Sequence, residues 1–143
     1  MERVLEKAIQ IAVNAHMGQK DRAGAPYILH SLRVMHSVDA TDAKIVAILH
    51  DVVEDTPVTF DELIEAGIPK HLVITLRLLT HADNLSYEDY IARLSENSLA
   101  VKVKLADLKD NMDLSRLREI SEEDMDLYKK YVTSYRYLRE RLS

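Results

Sequence analysis

The 143-residue chain carries 19 Lys and Arg against 24 Asp and Glu, a formal net charge of −5 that gives no overall basic field for duplex nucleic acid. With 47% hydrophobic and 30% charged residues it has the apolar content of one globular domain, 1–143, with a real core, and the absence of cysteine excludes disulfides, a thiolate nucleophile and a cysteine metal site. There is no stretch of about eighteen uncharged apolar residues to cross a membrane, and the charged start MERVLEK does not read as a targeting segment, so a soluble, cytoplasmic protein is expected.

Apolar residues recur at intervals of three and four almost throughout, without strict alternation, so the fold is expected to be all-α, a compact helical bundle. Val4, Leu5, Ala8, Ile11, Ala12 and Ala15 mark one face of a first helix, which GQKDRAGAP, from Gly18 to Pro26, breaks. Pro26 suits the first turn of a second helix that carries Tyr27, His30, Arg33 and Val34. Thr41 or Asp42 caps a third, expected to run on through HDVVEDT. Capping-box pairs Thr59/Glu62, Ser86/Asp89 and Ser121/Asp124 start three later helices, and Gly67 with Pro69 separates two in the middle. The last helix, about Glu122 to Leu142, shows Met125, Tyr128, Tyr131, Val132, Tyr135 and Leu138 at helical spacing, a stripe suited to core packing or to a homodimer face.

Several ionisable groups fall where apolar ones belong. On a helix from about Ser98 to Leu114, the positions Ala100, Val103, Asp107, Asn111 and Leu114 share one face, which turns Asp107 and Asn111 inward. In AILHDVVEDT, Ala47 to Thr56, Asp51 stands between Leu49 and Val52 beside His50. A buried carboxylate loses hydration worth several kcal/mol in rough terms unless a cation or strong donors replace the water. Two inward acids with an adjacent His therefore point to a metal ion, with His30, among Ile28, Leu29 and Leu32, as the fourth ligand. Glu54 and Asp55 follow within a turn and would reach a water or a substrate phosphate beside that ion. Taken singly, each group has a plainer role: His30 as a hydrogen-bonded core histidine, Asp107 as the partner of Lys104, Glu54 and Asp55 as a solvated helix end. Of the remaining histidines, His16 in the stretch HMGQ has the best claim to lie near the site.

Together the motifs are far more specific. The stretches AHMGQ, GAPYILHSLRV, AILHDVVEDT and VKLADLKDNM, spread over Ala15 to Met112, resemble in order and spacing the HD-domain metal phosphohydrolases, and within them the hydrolase domain of the RelA/SpoT alarmone enzymes and the small stand-alone alarmone hydrolases. The resemblance implies a helical bundle that holds one divalent ion, manganese first and iron, zinc, cobalt or nickel as alternatives, through His30, His50, Asp51 and Asp107. It implies that Glu54 and Asp55 position and activate the attacking water, that Asn111 contacts the nucleotide and that Arg22 lies beside the base; Lys104 remains available for phosphate. The reaction implied is removal of pyrophosphate from the ribose 3′ position of guanosine tetra- or pentaphosphate, with no synthetase or regulatory domain in the chain.

Three positions depart from the pattern. Asp21 stands in place of the first residue of a basic pair, and Leu108 and Asp110 in place of the Arg and His of a LADRLHN motif, so hydrolysis of guanosine tetraphosphate is expected to be weaker than in relatives. Two alternatives therefore accompany the leading one: hydrolysis of another phosphorylated nucleotide, and a catalytically silent nucleotide-binding or sensor domain. The complete set His30, His50, Asp51, Glu54, Asp55 and Asp107 argues against a pure binder.

Overall fold

The computed structural model describes residues 1–142, and among them the only regular elements are helical. Helix α1 (Glu2–His16) turns Ala8, Ala12 and His16 into the core, with Val4, Leu5, Ile11 and Ala15 flanking them, as its apolar spacing predicts. The loop that follows is closed by an isolated bridge between Lys20 and Pro26, and Gly18 and Gly24 adopt positive φ of 87° and 85°. Helix α2 (Ile28–His36) begins one residue after its N-cap Tyr27, so Pro26 precedes the helix instead of occupying its first turn; its carbonyl accepts from the Leu29 N–H at 3.1 Å.

Helix α3 (Thr41–Leu49) buries Ala43 and every residue from Ile45 to Leu49. A helix apolar on all sides belongs in the centre, and α3 packs against α1, α2, α6 and α8. It stops at Leu49. His50 is its C-cap and Asp51 the N-cap of a separate one-turn helix, α4 (Val52–Asp55), which corrects the expectation of a single helix running through HDVVEDT. The Asp55 N–H donates to the Asp51 carbonyl at 3.0 Å, so Glu54 and Asp55 still fall within a turn of Asp51.

Helices α5 (Phe60–Glu65), α6 (Lys70–Leu78) and α7 (Tyr87–Leu94) cover the other side of α3 and lead to α8 (Ser98–Asn111). Thr59 and Glu62 form the reciprocal box the sequence announces, and the Ser86 hydroxyl accepts from the Asp89 N–H at 3.1 Å. Asn97 caps α8 through the Ala100 N–H. A short 3₁₀ turn (Leu114–Arg116) then leads into α9 (Glu122–Leu142), whose start is a second reciprocal box, Ser121 with Asp124. Helix α9 packs on α8, with Leu138 buried and Tyr131 and Tyr135 against the core, whereas Met125 at the start of the expected stripe is exposed. No helix among the described residues is long and apolar enough to cross a membrane.

Candidate functional site

Four side chains meet where α2, the α3–α4 junction and α8 converge. One ligand atom each from His30, His50, Asp51 and Asp107 lie within 4.8 Å of one another. His30 Nε2 is 3.0 Å from Asp107 Oδ1, and His50 Nε2 is 3.0 Å from Asp51 Oδ2 and 3.3 Å from Asp107 Oδ1. The sequence brings these together from 77 positions of chain because each sits on or beside a helix: the first turn of α2, the α3–α4 junction and the C-terminal half of α8.

The second nitrogen of each imidazole is fixed. His50 Nδ1 lies 2.5 Å from the Ala47 carbonyl, an acceptor, so its N–H is on that atom and Nε2 carries the lone pair. Yet Nε2 is buried without a hydrogen-bond partner. His30 Nδ1 lies 2.6 Å from Asp110 Oδ2, which likewise leaves Nε2 to face the cluster. Two imidazoles with their lone pairs directed at two buried carboxylates, one of them an orphan, fit a divalent cation held by two nitrogens and two oxygens. Without such an ion the same contacts are met by protons. Burial alone would lower His30, but Asp107 and Asp110 outweigh it and raise it to about 8. His50 is raised in the same way against its burial, by Asp51 and Asp107. Asp107, despite complete burial, is held well below the usual carboxylate range by Lys104, His50 and His30.

Around the cluster stand its supports. Tyr27 donates its hydroxyl to Asp51 Oδ2 at 2.5 Å, Lys104 Nζ donates to Asp107 Oδ2 at 3.0 Å, and Asn111 Nδ2 donates to Asp107 Oδ1 at 3.2 Å. Lys104 and Asn111, expected at the substrate, therefore touch a cluster carboxylate directly. Glu54 and Asp55 form an acidic group with Asp51, with ligand atoms inside 4.8 Å. The His81 backbone N–H donates to Glu54 Oε1 at 2.6 Å. Burial, reinforced by Asp51 and Glu54, raises the Asp55 carboxyl to about 6. His16 is buried, with its ring 5.1 Å from that of Tyr27, one residue removed from the cluster.

Two cavities flank the four groups and share Asn111 and Tyr131. The larger, about 290 Å³, opens between the Lys20–Tyr27 loop, the Asp110–Leu117 segment and the start of α9. Arg22 lines it, but its guanidinium is committed to Asp124 Oδ1, at 2.8 Å from Nε, and to Glu123. The smaller, about 200 Å³, lies on the Glu54, Lys104 and Asp107 side.

No protein-family model matches the sequence. The chain is 34% identical over 151 aligned positions to the GTP pyrophosphokinase rsh of Brucella melitensis, covering 89% of this chain and 20% of that protein. It is 30% identical to the guanosine-3′,5′-bis(diphosphate) 3′-pyrophosphohydrolase of Haemophilus influenzae, over 82% of this chain and 20% of the other. A solved structure described as a metazoan ortholog of SpoT that hydrolyzes ppGpp superposes with a TM-score of 0.73 and 26% identity, over 92% of this chain and 83% of its own. The chain belongs to the RelA/SpoT family of HD-type hydrolase domains. It spans about a fifth of the length of the curated relatives it matches.

Within this RelA/SpoT-type domain the three departures have structural roles that the sequence does not disclose. Asp21 Oδ1 accepts from the N–H groups of Ala23 and Ala25, both at 2.9 Å, and so caps the loop. Leu108 is fully buried in the core. Asp110 is enclosed by His30, Arg33 and Arg116, with Arg33 Nε at 2.7 Å, and His30 and Arg33 overcome its burial to hold it far below the usual carboxylate range. Its charge is balanced inside the protein by these partners. Lys130, Tyr87, Tyr90 and His81, which line the smaller cavity, were missed; their positions on α7, α9 and a loop follow only from tertiary packing.

Proposed function

We propose that this chain is a metal-dependent pyrophosphohydrolase that removes the 3′-pyrophosphoryl group of guanosine tetra- or pentaphosphate in the cytoplasm, returning GDP or GTP. The observation that carries the proposal is the convergence of His30, His50, Asp51 and Asp107, with Glu54 and Asp55 a turn away. The Haemophilus influenzae relative and the metazoan SpoT ortholog are named for hydrolysis of this nucleotide, whereas the Brucella relative is named a GTP pyrophosphokinase. A divalent ion in this cluster, manganese in the first instance, would lower the pKa of a bound water and offset phosphate charge.

The chain's own residues then divide the work. His30, His50, Asp51 and Asp107 are the ligand set, oriented by Asp110, Ala47, Tyr27 and Lys104 respectively. Glu54 is held through Oε1 by the His81 N–H, which leaves Oε2 to align the attacking water. Asp55, raised to about 6, is suited to accept the proton from that water near neutral pH. The water oxygen bonds to the phosphorus next to the ribose, the bond from phosphorus to the 3′ oxygen breaks, that oxygen takes a proton from solvent to leave as the 3′ hydroxyl, and Asp55 returns its proton to solvent. The larger cavity, with Leu114, Leu117, Leu127 and Tyr27 among its walls, suits the nucleoside, and Asn111 stands where the two cavities join.

The test is incubation of manganese-loaded protein with guanosine tetraphosphate and a panel of other nucleotides, with release of pyrophosphate and of phosphate followed separately. Release of pyrophosphate with GDP from the tetraphosphate is expected. Preferential release of phosphate from a nucleoside monophosphate would replace this substrate assignment with the other-nucleotide alternative. Substrate binding without turnover in any metal would make the domain a sensor.

A further inference from the structure

The smaller cavity has features that the cluster itself does not use. Tyr87 lines it, and its buried hydroxyl has no hydrogen-bond partner. A buried hydroxyl left unsatisfied costs about 1–3 kcal/mol, so one that persists beside an open cavity is explained by a ligand that accepts from it. Lys130, from α9, lies over the Tyr87 ring with Nζ 3.8 Å from the centroid and makes no ion pair among the described residues. Lys104 contributes a second ammonium, 5.3 Å from the Tyr90 ring centroid and bound to Asp107. Two cations, one of them unpaired, and an orphan donor thus converge next to the ligand cluster.

Asp51, Glu54 and Asp107 line the same cavity, the first and last belonging to the His/Asp cluster, and in the larger cavity the arginines are all paired. Arg22 is bound to Asp124, Arg33 to Asp110, and Arg116 to Asp113 and Asp110. Its arginines are tied to its own carboxylates, and Lys20 is the one lining cation without an ion pair among the described residues.

We infer that the smaller cavity is a diphosphate-binding subsite in which Lys130 and the Tyr87 hydroxyl, together with Lys104, hold the two phosphates of the 3′-pyrophosphoryl group. The substrate therefore straddles the cluster, nucleoside in the larger cavity and diphosphate in the smaller, and discrimination between a 3′-diphosphate and a 3′-monophosphate resides in Lys130 and Tyr87. The inference rests on the pyrophosphohydrolase reading of the site.

Lys130→Met keeps a stem over Tyr87 and removes the charge; Tyr87→Phe removes only the hydroxyl. Inorganic pyrophosphate and guanosine 5′-monophosphate are titrated separately into manganese-loaded native and variant proteins freed of excess metal, with bound manganese and melting temperature measured before and after. The expected result is that Kd for pyrophosphate rises about tenfold or more in each variant, as for loss of a charged hydrogen-bonding partner, while Kd for the monophosphate stays within about twofold. Unchanged pyrophosphate affinity in both variants, absence of pyrophosphate binding to the native protein, or an equal loss of both ligands would overturn the inference. If native protein fails to hydrolyse guanosine tetraphosphate while pyrophosphate affinity still depends on Lys130 and Tyr87, the substrate assignment fails and the diphosphate subsite stands.

Discussion

At Asp110 one carboxylate oxygen lies 2.6 Å from His30 Nδ1 while Arg33 and Arg116 occupy the rest of its surface. A carboxylate in this place fixes the imidazole tautomer and raises its basicity, and removing such a partner commonly weakens metal binding 10–100-fold. Asp110→Asn is therefore expected to lower manganese affinity by roughly 10–100-fold with the fold intact, as read by titration of metal into the metal-free protein. Arg33→Gln should have a smaller effect, since it leaves the carboxylate on His30. Equal affinities in native protein and Asp110→Asn would mean that the carboxylate serves only the arginines. Glu54 differs because it is outside the four-residue His/Asp cluster and its Oε1 is held by a backbone N–H. Glu54→Gln should retain manganese at full occupancy and lose about 10²–10⁴ in kcat. An unchanged kcat would reduce Glu54 to a helix-end charge.

Among the elements, the loop from Lys20 to Tyr27 and the start of α9 depend on each other through Arg22, whose guanidinium spans 102 positions of chain to Asp124. Asp124 also closes the capping box with Ser121, and these partners hold its carboxyl below the usual 3.8. A carboxyl lowered on folding adds stability above its ordinary value and loses it as pH falls toward the folded value, so the tie between loop and α9 should weaken below about pH 4. Asp124→Asn should reproduce that loosening at neutral pH, seen as faster amide exchange in the loop and the first turn of α9 with α3 unaffected. Asp21 acts in the same loop: Asp21→Arg removes the acceptor for Ala23 and Ala25, so no gain in kcat/KM for guanosine tetraphosphate is expected. A clear gain would show that the charge at this position reaches the nucleotide after all.

The elements also show what a one-dimensional pattern can carry. Helix starts marked by Thr59/Glu62, Ser86/Asp89 and Ser121/Asp124 were legible because capping chemistry is local, and the inward acids were legible because Asp107 interrupts an apolar face. The break between α3 and α4 was not. His50 and Asp51 keep dihedrals in the right-handed helical region, and no Gly or Pro marks the junction. Equally hidden were Arg33 beside Asp110 and Lys130 beside Tyr87, because these pairs join residues tens of positions apart.

In the whole molecule, the ligand cluster joins α2, the α3–α4 junction and α8, and α9 lies outside on α8. The apolar core built on α3 explains why these helices assemble, but the site places His30, His50, Asp51, Asp107 and Lys104 in one small volume of low hydration. Without metal, that charge is balanced by protons on the histidines and by Lys104. A metal ion that binds only the folded protein stabilises it by mass action, by about 2.7 kcal/mol at a free concentration 100 times its Kd. For a chain of this size that corresponds to a melting temperature roughly 5–10 °C above that in chelator. Asp107→Ala removes one ligand and leaves His30, His50 and Lys104 facing an emptied position, so this variant should be destabilised by about 3–5 kcal/mol and should lose the manganese-dependent rise as well. Glu54→Gln should keep the rise in full. Thermal melts of the three proteins with manganese and with chelator decide the matter: identical curves for native protein under the two conditions would remove the ion from this cluster, and a full rise in Asp107→Ala would place it elsewhere, on the acidic group of Asp51, Glu54 and Asp55.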